Sequence, residues 1–179
     1  MSHWRVLGIG SPFGDDQLGW RLVSAFQSLD NTTEPEGATQ CSALALDRPG
    51  SGLIQALTGA RGVVVVDALQ NMGQPGRIHR LALADLTQAN GCFSSHSFGV
   101  AEALALADEL ALLPRHLLIL GVEMSEVEMS ESVFCEEVSP AVAAAVPKLC
   151  TLIDETLSAW TSTKHQAHGA AVGQASIAR

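Results

Sequence analysis

The sequence predicts a single α/β domain in which a mostly parallel, twisted sheet carries helices on both faces. Short continuous apolar runs, which are typical of strands buried on both sides, alternate along the chain with segments whose apolar residues recur every three or four positions. Turns rich in glycine and proline separate these segments. This alternation of strands and helices favours parallel strands joined by right-handed crossovers.

We expect the domain to span residues 1–160. The chain has 179 residues, a length that suits one domain with one continuous core. Residues 161–179 are predicted to be a disordered tail, because they are mostly small and polar and show no apolar periodicity.

Composition argues against several classes of protein. A formal charge of −9 with only ten lysines and arginines opposes nucleic-acid binding, which depends on clustered basic residues that neutralise phosphates. The apolar runs fall short of the roughly 20 residues that a membrane helix needs. Cys41, Cys92, Cys135 and Cys150 form no C-x-x-C pair, so neither a zinc ribbon nor a disulfide framework is expected. We therefore expect a cytoplasmic monomer that binds neither nucleic acid nor a membrane.

The first predicted unit of the fold is a strand, a glycine turn and a helix. Val6, Leu7 and Ile9 form a short apolar run, and apolar residues then recur at helical spacing from Leu18 to Leu29. Between them lies the acidic pair Asp15-Asp16, at a helix start, where negative charge is favourable. A unit of this kind places its turn at the carboxyl edge of a parallel sheet, where α/β proteins bind ligands.

The middle of the chain repeats this pattern. A second strand is predicted from Ala38 to Leu46, followed by a turn that contains Asp47 and by a short helix from Leu53 to Leu57. The run Gly62-Val-Val-Val-Val-Asp67 is the clearest strand, because consecutive β-branched residues are typical of a central parallel strand. Its last residue is another carboxylate at a strand end.

The second half of the chain contributes an edge strand, two helices and one more buried strand. Alternating polar and apolar residues predict the edge strand from Arg77 to Leu83. A helix is predicted from Val100 to Leu113 and a buried strand from His116 to Val122. Ser139 is the predicted N-cap of the closing helix, which we expect Pro147 to kink.

Three candidate metal ligands are expected at the same edge of this sheet. Asp16 follows the first strand, Asp67 ends the central strand, and His96 lies in the small-residue loop before Gly99. Two carboxylates and an imidazole suit nickel, zinc, iron or manganese, and they leave coordination positions for substrate or water. Each residue also has a purely structural interpretation as a helix cap, a strand-end acceptor or a loop polar residue. Spacing alone leaves both interpretations open.

Two other kinds of site are less well supported. Gly8-Ile-Gly10 with Gly14 resembles a dinucleotide-binding fingerprint, but the spacing is one residue too long and the two aspartates would repel a pyrophosphate. Cys92 and His96 share a loop and form a candidate nucleophile pair, although no third residue to orient them is in view.

Two further features have simple structural interpretations. The segment from Glu123 to Glu137 contains six glutamates and is interpreted as a solvated loop, with a docking surface for a basic peptide as the alternative. His116 has no partner in view and is interpreted as a surface residue.

Several of these motifs, in the same order, resemble those of the hydrogenase maturation endopeptidases, which trim the C-terminus of the large subunit of nickel-iron hydrogenases. The resemblance runs from about Arg5 to Trp160. The matching segments are Gly8-Ile-Gly10 with Gly14-Asp-Asp-Gln-Leu-Gly19, the strand that ends in Asp67, Ser95-His96 with Gly99, Gly121-Val-Glu123, and the segment from Ser139 to Pro147. Ser11, Gln17 and Met124 depart from residues that are common in the family, and these departures bear on substrate preference more than on the reaction.

The resemblance implies a twisted sheet between helices and a metal site formed by Asp16, Asp67 and His96. In the family, these positions are proposed to sense nickel that is already installed in the large-subunit precursor, before a short C-terminal peptide is removed. The implied partner is that precursor, which supplies the nickel, and other divalent metals are also expected to occupy the site. Asp16 and Asp47 are carried over as candidate catalytic residues. Asp15 is expected only to cap the helix or to tune the pKa of its neighbour.

The sequence therefore predicts a cytoplasmic peptidase, with two routes open for hydrolysis. One route uses a metal-polarised water with a carboxylate as general base, and the other uses Asp16 or Asp47 as an acid or base without a catalytic metal. The competing class is a non-catalytic metallochaperone or binding module for the large subunit, whose sequence would differ only at the catalytic residue.

Overall fold

The computed structural model describes residues 3–30, 41–70, 73–88, 98–125 and 137–169. Its strands are β1 (Trp4–Gly10), β2 (Cys41–Asp47), β3 (Gly62–Leu69), β4 (Ile78–Leu81) and β5 (His116–Glu123). Its helices are α1 (Leu18–Asp30), α2 (Gly52–Leu57), α3 (Leu83–Gln88), α4 (Phe98–Glu109), α5 (Pro140–Ala143) and α6 (Val146–Gly169). A 3-10 turn (Gly14–Gln17) joins β1 to α1.

The strands of the described residues form one sheet of five strands in the order β2-β1-β3-β5-β4. Strands β2, β1, β3 and β5 are parallel, and β4 pairs with β5 in the antiparallel direction. Every residue of β3 is buried, as expected of a strand covered on both faces. The predicted α/β fold with a mostly parallel sheet and an edge strand is confirmed.

Helices cover both faces of the sheet. Side chains alternate between the two faces along each strand, so each buried strand contributes to both cores. On one face, α1, α5 and α6 pack against Val64 and Val66 of the central strand. On the other face, α2, α3 and α4 pack against Val63 and Val65. Consecutive residues of β3 therefore belong to opposite cores, and the central strand packs against both layers of helices.

The closing helices differ from the prediction. Helix α5 ends at Ala143 and α6 begins at Val146, so Pro147 lies in the first turn of α6 and does not kink one longer helix. Proline is tolerated there because the first N–H groups of a helix have no partner within it. Helix α6 then continues to Gly169, although residues 161–169 were predicted to be disordered. These residues contain no proline, and extending a helix that has already formed fixes only one residue for each new hydrogen bond.

The rest of the predicted tail, residues 170–179, lies outside the described residues. Helix α6 is the longest of the described helices, at 24 residues. Neither α6 nor any other helix in the described ranges is both long enough and apolar enough to cross a membrane.

An aromatic cluster closes the amino edge of the sheet. The rings of Trp4, His116 and Trp160 have centroids 5.3–5.7 Å apart, and the Arg61 guanidinium lies 5.7 Å from the centre of the Trp4 ring. Burial, with the charges of Arg115 and Arg61, lowers the pKa of His116. His116 is only partly buried and so lies at the surface, as predicted, but it has ring partners that the sequence did not show, and its ring helps to attach α6 to the sheet.

The glycine turn after β1 lies directly against the strand. A Cβ atom on Gly10 would overlap the carbonyl oxygen of Asp16, and the same oxygen accepts a hydrogen bond from the Ser11 N–H at 3.2 Å. Gly14 has a φ of +49°, a conformation that glycine adopts without steric penalty. These glycines let the turn fold back on the end of β1, so that Asp16 lies at the carboxyl edge of the sheet.

Replacing Gly10 by alanine is expected to lower the free energy of unfolding by about 1–3 kcal/mol, because the added methyl group must displace the main chain at Asp16. Gly52→Ala is the matched control, since a Cβ on Gly52 has no atom within 4 Å and alanine favours a helix over glycine by about 1 kcal/mol. Urea unfolding of both variants measures the difference. Equal stabilities would contradict the close contact at Gly10.

Candidate functional site

Asp16 and Asp67 lie together at the carboxyl edge of the sheet. Asp16 is in the 3-10 turn after β1, and Asp67 is near the end of β3, the strand that pairs with β1. Their exposed fractions are 8% and 5%, and the charge of Asp16 acts on the Asp67 carboxyl. The structure therefore brings together two of the three predicted metal ligands. The third, His96, lies outside the described residues.

The surroundings of Asp67 make its ionised form unfavourable. Its Oδ1 accepts a hydrogen bond from the Ala68 N–H at 2.9 Å, whereas its buried Oδ2 accepts none from the described residues. Burial raises the pKa of Asp67 to about 7; the hydrogen bond from Ala68 opposes this effect and the negative charge of Asp16 adds to it. A carboxylate in such a place is stabilised by whatever neutralises it, either a proton or a cation.

The two carboxylates fit a divalent cation. Oδ2 of Asp67 is a buried acceptor whose capacity is not used by the described part of the chain, and carboxylate oxygens and an imidazole are ligands that first-row divalent metals accept. The described residues contain no group of three or more histidine, cysteine, aspartate or glutamate side chains placed to hold a metal. A complete metal site thus needs a further ligand, and His96 is the residue that the sequence predicts for it.

Asp47 and Arg48 form an ion pair at the border of this site. Asp47 ends β2 and pairs in register with Gly10, the last residue of β1. Its side chain is 46% exposed and accepts hydrogen bonds from the Arg48 guanidinium at 2.6 and 3.2 Å. The hydrogen bond and charge of Asp47 raise the pKa of Arg48, and the charge of Asp16 acts in the same direction. The exposed pair therefore lies within electrostatic reach of the buried one.

The two adjacent aspartates of the turn have different surroundings. Asp16 interacts with Asp67, whereas the carboxylate of Asp15 accepts hydrogen bonds from Ser125 and Ser139. Asp15 thus contacts residues distant in sequence instead of the start of α1, so its predicted role as a helix cap is replaced by a tertiary one.

Sequence reasoning placed Glu123 in the solvated glutamate-rich segment, but the structure buries it. Glu123 is the last residue of β5, and its side chain is 3% exposed. The segment therefore begins with a buried residue of the sheet. A carboxylate directly after a buried apolar run was the available signal, and it is the same signal that identified Asp67.

The cysteine hypothesis receives no support from the described residues. Cys92 and His96, its two members, both lie outside them. Cys150 is a free thiol, and burial raises its pKa, which makes that group less reactive.

The raised pKa of Asp67 predicts that metal-free protein loses stability as the pH rises. The folded-state pKa of about 7 lies above the ordinary value of 3.8, so between these pH values the folded protein holds a proton that the unfolded chain releases. The free energy of unfolding should therefore fall as the pH rises from 4 to 8, by at most about 4 kcal/mol.

Asp67→Asn removes the ionisable group and should unfold at a higher temperature than the parent at pH 8, with a smaller difference at pH 5. Thermal unfolding in the presence of a chelator measures this. Asp154→Asn, at an exposed position of α6, is the control and should keep the pH dependence of the parent. A parent and an Asp67→Asn variant with the same pH dependence would rule out a buried, protonatable Asp67.

The chain matches known proteins over most of its length. Residues 48–155, which are more than half of the chain, match the model of the HycI family, hydrogenase maturation protease. The matched stretch contains Asp67 and His96 and begins one residue after Asp47. The hydrogenase expression/formation protein HupD of Bradyrhizobium diazoefficiens is 27% identical over 157 residues, which cover 84% of this chain and 77% of that protein.

Solved structures share the fold. The hydrogenase maturating endopeptidase HybD from E. coli superposes with a TM-score of 0.68 at 21% identity, over 91% of this chain and 94% of that one. The [NiFe] hydrogenase maturation protease HybD from Thermococcus kodakarensis gives a TM-score of 0.65 at 18% identity, over 87% of this chain and 99% of that one. The chain belongs to the hydrogenase maturation protease family and is a peptidase that acts in hydrogenase maturation.

Proposed function

We propose that this peptidase removes a short C-terminal peptide from the nickel-loaded precursor of a nickel-iron hydrogenase large subunit. It recognises that precursor by coordinating the substrate's nickel through Asp16, Asp67 and His96. The observation that carries the proposal is the buried carboxylate pair at the sheet edge, in which Oδ2 of Asp67 accepts no hydrogen bond from the described residues. The name of the Thermococcus relative, a [NiFe] hydrogenase maturation protease, supports the class of substrate.

Electrostatics explains why nickel would decide recognition. Loss of hydration and the charge of Asp16 both disfavour ionisation of Asp67. A divalent cation offsets the charge of both carboxylates, so Asp67, with a pKa of about 7, gives up its proton when the metal binds. A nickel-free precursor brings no such charge and binds more weakly. Coordination thereby couples recognition of the precursor to the presence of its metal.

Asp47 is the proposed general base for hydrolysis. It is about half exposed and accepts a hydrogen bond from the Arg48 guanidinium. Its carboxylate takes a proton from water as the water oxygen bonds to the scissile carbonyl carbon, and the proton passes to the amide nitrogen when the carbon–nitrogen bond breaks. Asp16 is the alternative base, since its charge acts on Arg48 of the Asp47–Arg48 ion pair.

We further propose that the protein acts as a monomer in the cytoplasm. The free thiol of Cys150 is consistent with a reducing compartment, where structural disulfides are rare.

Cleavage of a nickel-loaded precursor tests the proposed reaction directly. The purified protein is incubated with nickel-loaded and with nickel-free large-subunit precursor, and the mass of the large subunit is measured. We expect the loaded form to lose a short peptide and the nickel-free form to remain intact, because only the former neutralises the carboxylate pair. Failure to cut either form would refute the peptidase role on this substrate, and equal cutting of both would refute nickel sensing.

Two substitutions separate metal recognition from hydrolysis. Asp47→Asn should lower kcat by about 10²–10⁴-fold and leave the affinity for loaded precursor unchanged, because Asp47 does not bind the metal. Asp16→Asn should weaken binding of the loaded precursor by at least about tenfold. Single-turnover cleavage and equilibrium binding measure the two effects, with Asp154→Asn as the charge-matched control.

Retention of the parental rate in Asp47→Asn would exclude Asp47 as the base and leave Asp16 in that role. Parental binding in Asp16→Asn would remove Asp16 from the metal site. A His96→Ala variant that still distinguishes loaded from nickel-free precursor would likewise remove the histidine.

A further inference from the structure

The carboxylate of Asp15 accepts three hydrogen bonds from residues that are distant in the sequence. Its Oδ1 accepts the Ser139 N–H at 2.6 Å, and its Oδ2 accepts the Ser125 N–H at 2.8 Å and the Ser139 hydroxyl at 2.9 Å. The side chain is 8% exposed. Three of the roughly four acceptor positions of the carboxylate are thereby occupied, which suits a structural anchor better than a metal ligand.

These hydrogen bonds join three elements that are far apart in the sequence. Asp15 lies in the 3-10 turn, Ser125 follows the end of β5, and Ser139 is the N-cap of α5. The Ser139 hydroxyl also accepts the Val142 N–H at 3.4 Å, so a single serine serves both the helix start and the aspartate. The turn is thus held from outside by the neighbouring strand and helix.

The turn needs such support because of the residue that follows Asp15. Asp16 is buried beside the like-charged Asp67, and their repulsion favours any movement that carries Asp16 into solvent. The turn has four residues, and 3-10 geometry gives weaker hydrogen bonds than an α-helix. Its own main-chain bonds, such as Asp16 N–H to the Phe13 carbonyl at 3.1 Å, hold the backbone only locally.

We propose that Asp15 is a positioning residue for the metal site: its hydrogen bonds to Ser125 and Ser139 hold the turn so that the Asp16 carboxylate stays beside Asp67. This inference rests on the proposed function, in which Asp16 and Asp67 bind the substrate's nickel. It assigns different roles to two adjacent aspartates, since Asp16 contacts the cation and Asp15 acts only through Asp16.

Asp15→Asn tests this role, because asparagine keeps the size of the side chain but replaces one acceptor oxygen by an NH₂ group. Whichever oxygen is lost, a main-chain N–H of Ser125 or Ser139 loses its acceptor. We expect affinity for Co²⁺, used alone as a probe, to fall about 10–100-fold. We also expect the visible absorption spectrum of the Co²⁺-saturated protein to change. Calorimetry and absorption spectroscopy measure the two effects.

Two further variants control for loss of structure. Asp85→Asn removes a carboxylate that accepts the Ala82 N–H at 2.7 Å near the start of α3, away from the site, and should leave Co²⁺ affinity and spectrum unchanged. Ser139→Ala removes one of the three hydrogen bonds and keeps both main-chain donors, so its loss of affinity should be smaller than that of Asp15→Asn. A purely structural role would lower the unfolding temperature of Asp15→Asn without changing the spectrum of its saturated, folded form.

The outcomes distinguish the two proposals. If the parent binds Co²⁺ and cleaves loaded precursor while Asp15→Asn binds Co²⁺ with parental affinity and spectrum, only the positioning role is refuted. If Asp15→Asn does not fold, parental affinity in Ser139→Ala refutes it instead. If the parent neither binds Co²⁺ nor cleaves loaded precursor, both proposals fall together.

Discussion

The burial of two like charges at one edge of the sheet is the constraint on which the rest of this site depends. Asp16 and Asp67 are both nearly excluded from solvent, and the pKa of Asp67 is raised to about 7. Such a pair is unfavourable in the folded protein, so other parts of the fold must stabilise it. The tightly packed glycine turn, the fully buried central strand and the hydrogen bonds of Asp15 supply that stabilisation. Proteins commonly give up stability at functional sites in this way.

The 3-10 geometry of the turn explains how neighbouring aspartates acquire separate tasks. Successive side chains on a 3-10 helix point roughly 120° apart, so Asp15 and Asp16 face different parts of the molecule. Asp15 meets the donors of Ser125 and Ser139, and Asp16 meets the charge of Asp67. A carboxylate that accepts several hydrogen bonds is held in place, whereas a carboxylate beside another carboxylate is unfavourable unless a proton or a cation neutralises it. Environment, more than residue type, sets the chemistry of each.

The two edges of the sheet carry different kinds of side chain. The amino edge carries the cluster of Trp4, His116 and Trp160, which attaches α6 by ring contacts. The carboxyl edge carries buried and exposed carboxylates, among them Asp47 with its partner Arg48. This arrangement follows the general rule that open α/β sheets bind ligands beyond the carboxyl ends of their strands. The candidate site therefore lies at the edge opposite the ring contacts that attach α6.

The sequence by itself determined the class of fold and placed Asp16, Asp47 and Asp67 near the carboxyl ends of three strands, because strand and helix periodicity report burial directly. Only the tertiary structure decided which groups meet. Asp15 accepts hydrogen bonds from residues 110 and 124 positions away in the sequence. The periodicity of apolar residues contains no information about contacts across such separations. The burial of Glu123 and the ring contacts of His116 were missed for the same reason: each depends on the packing of elements that are distant in the chain.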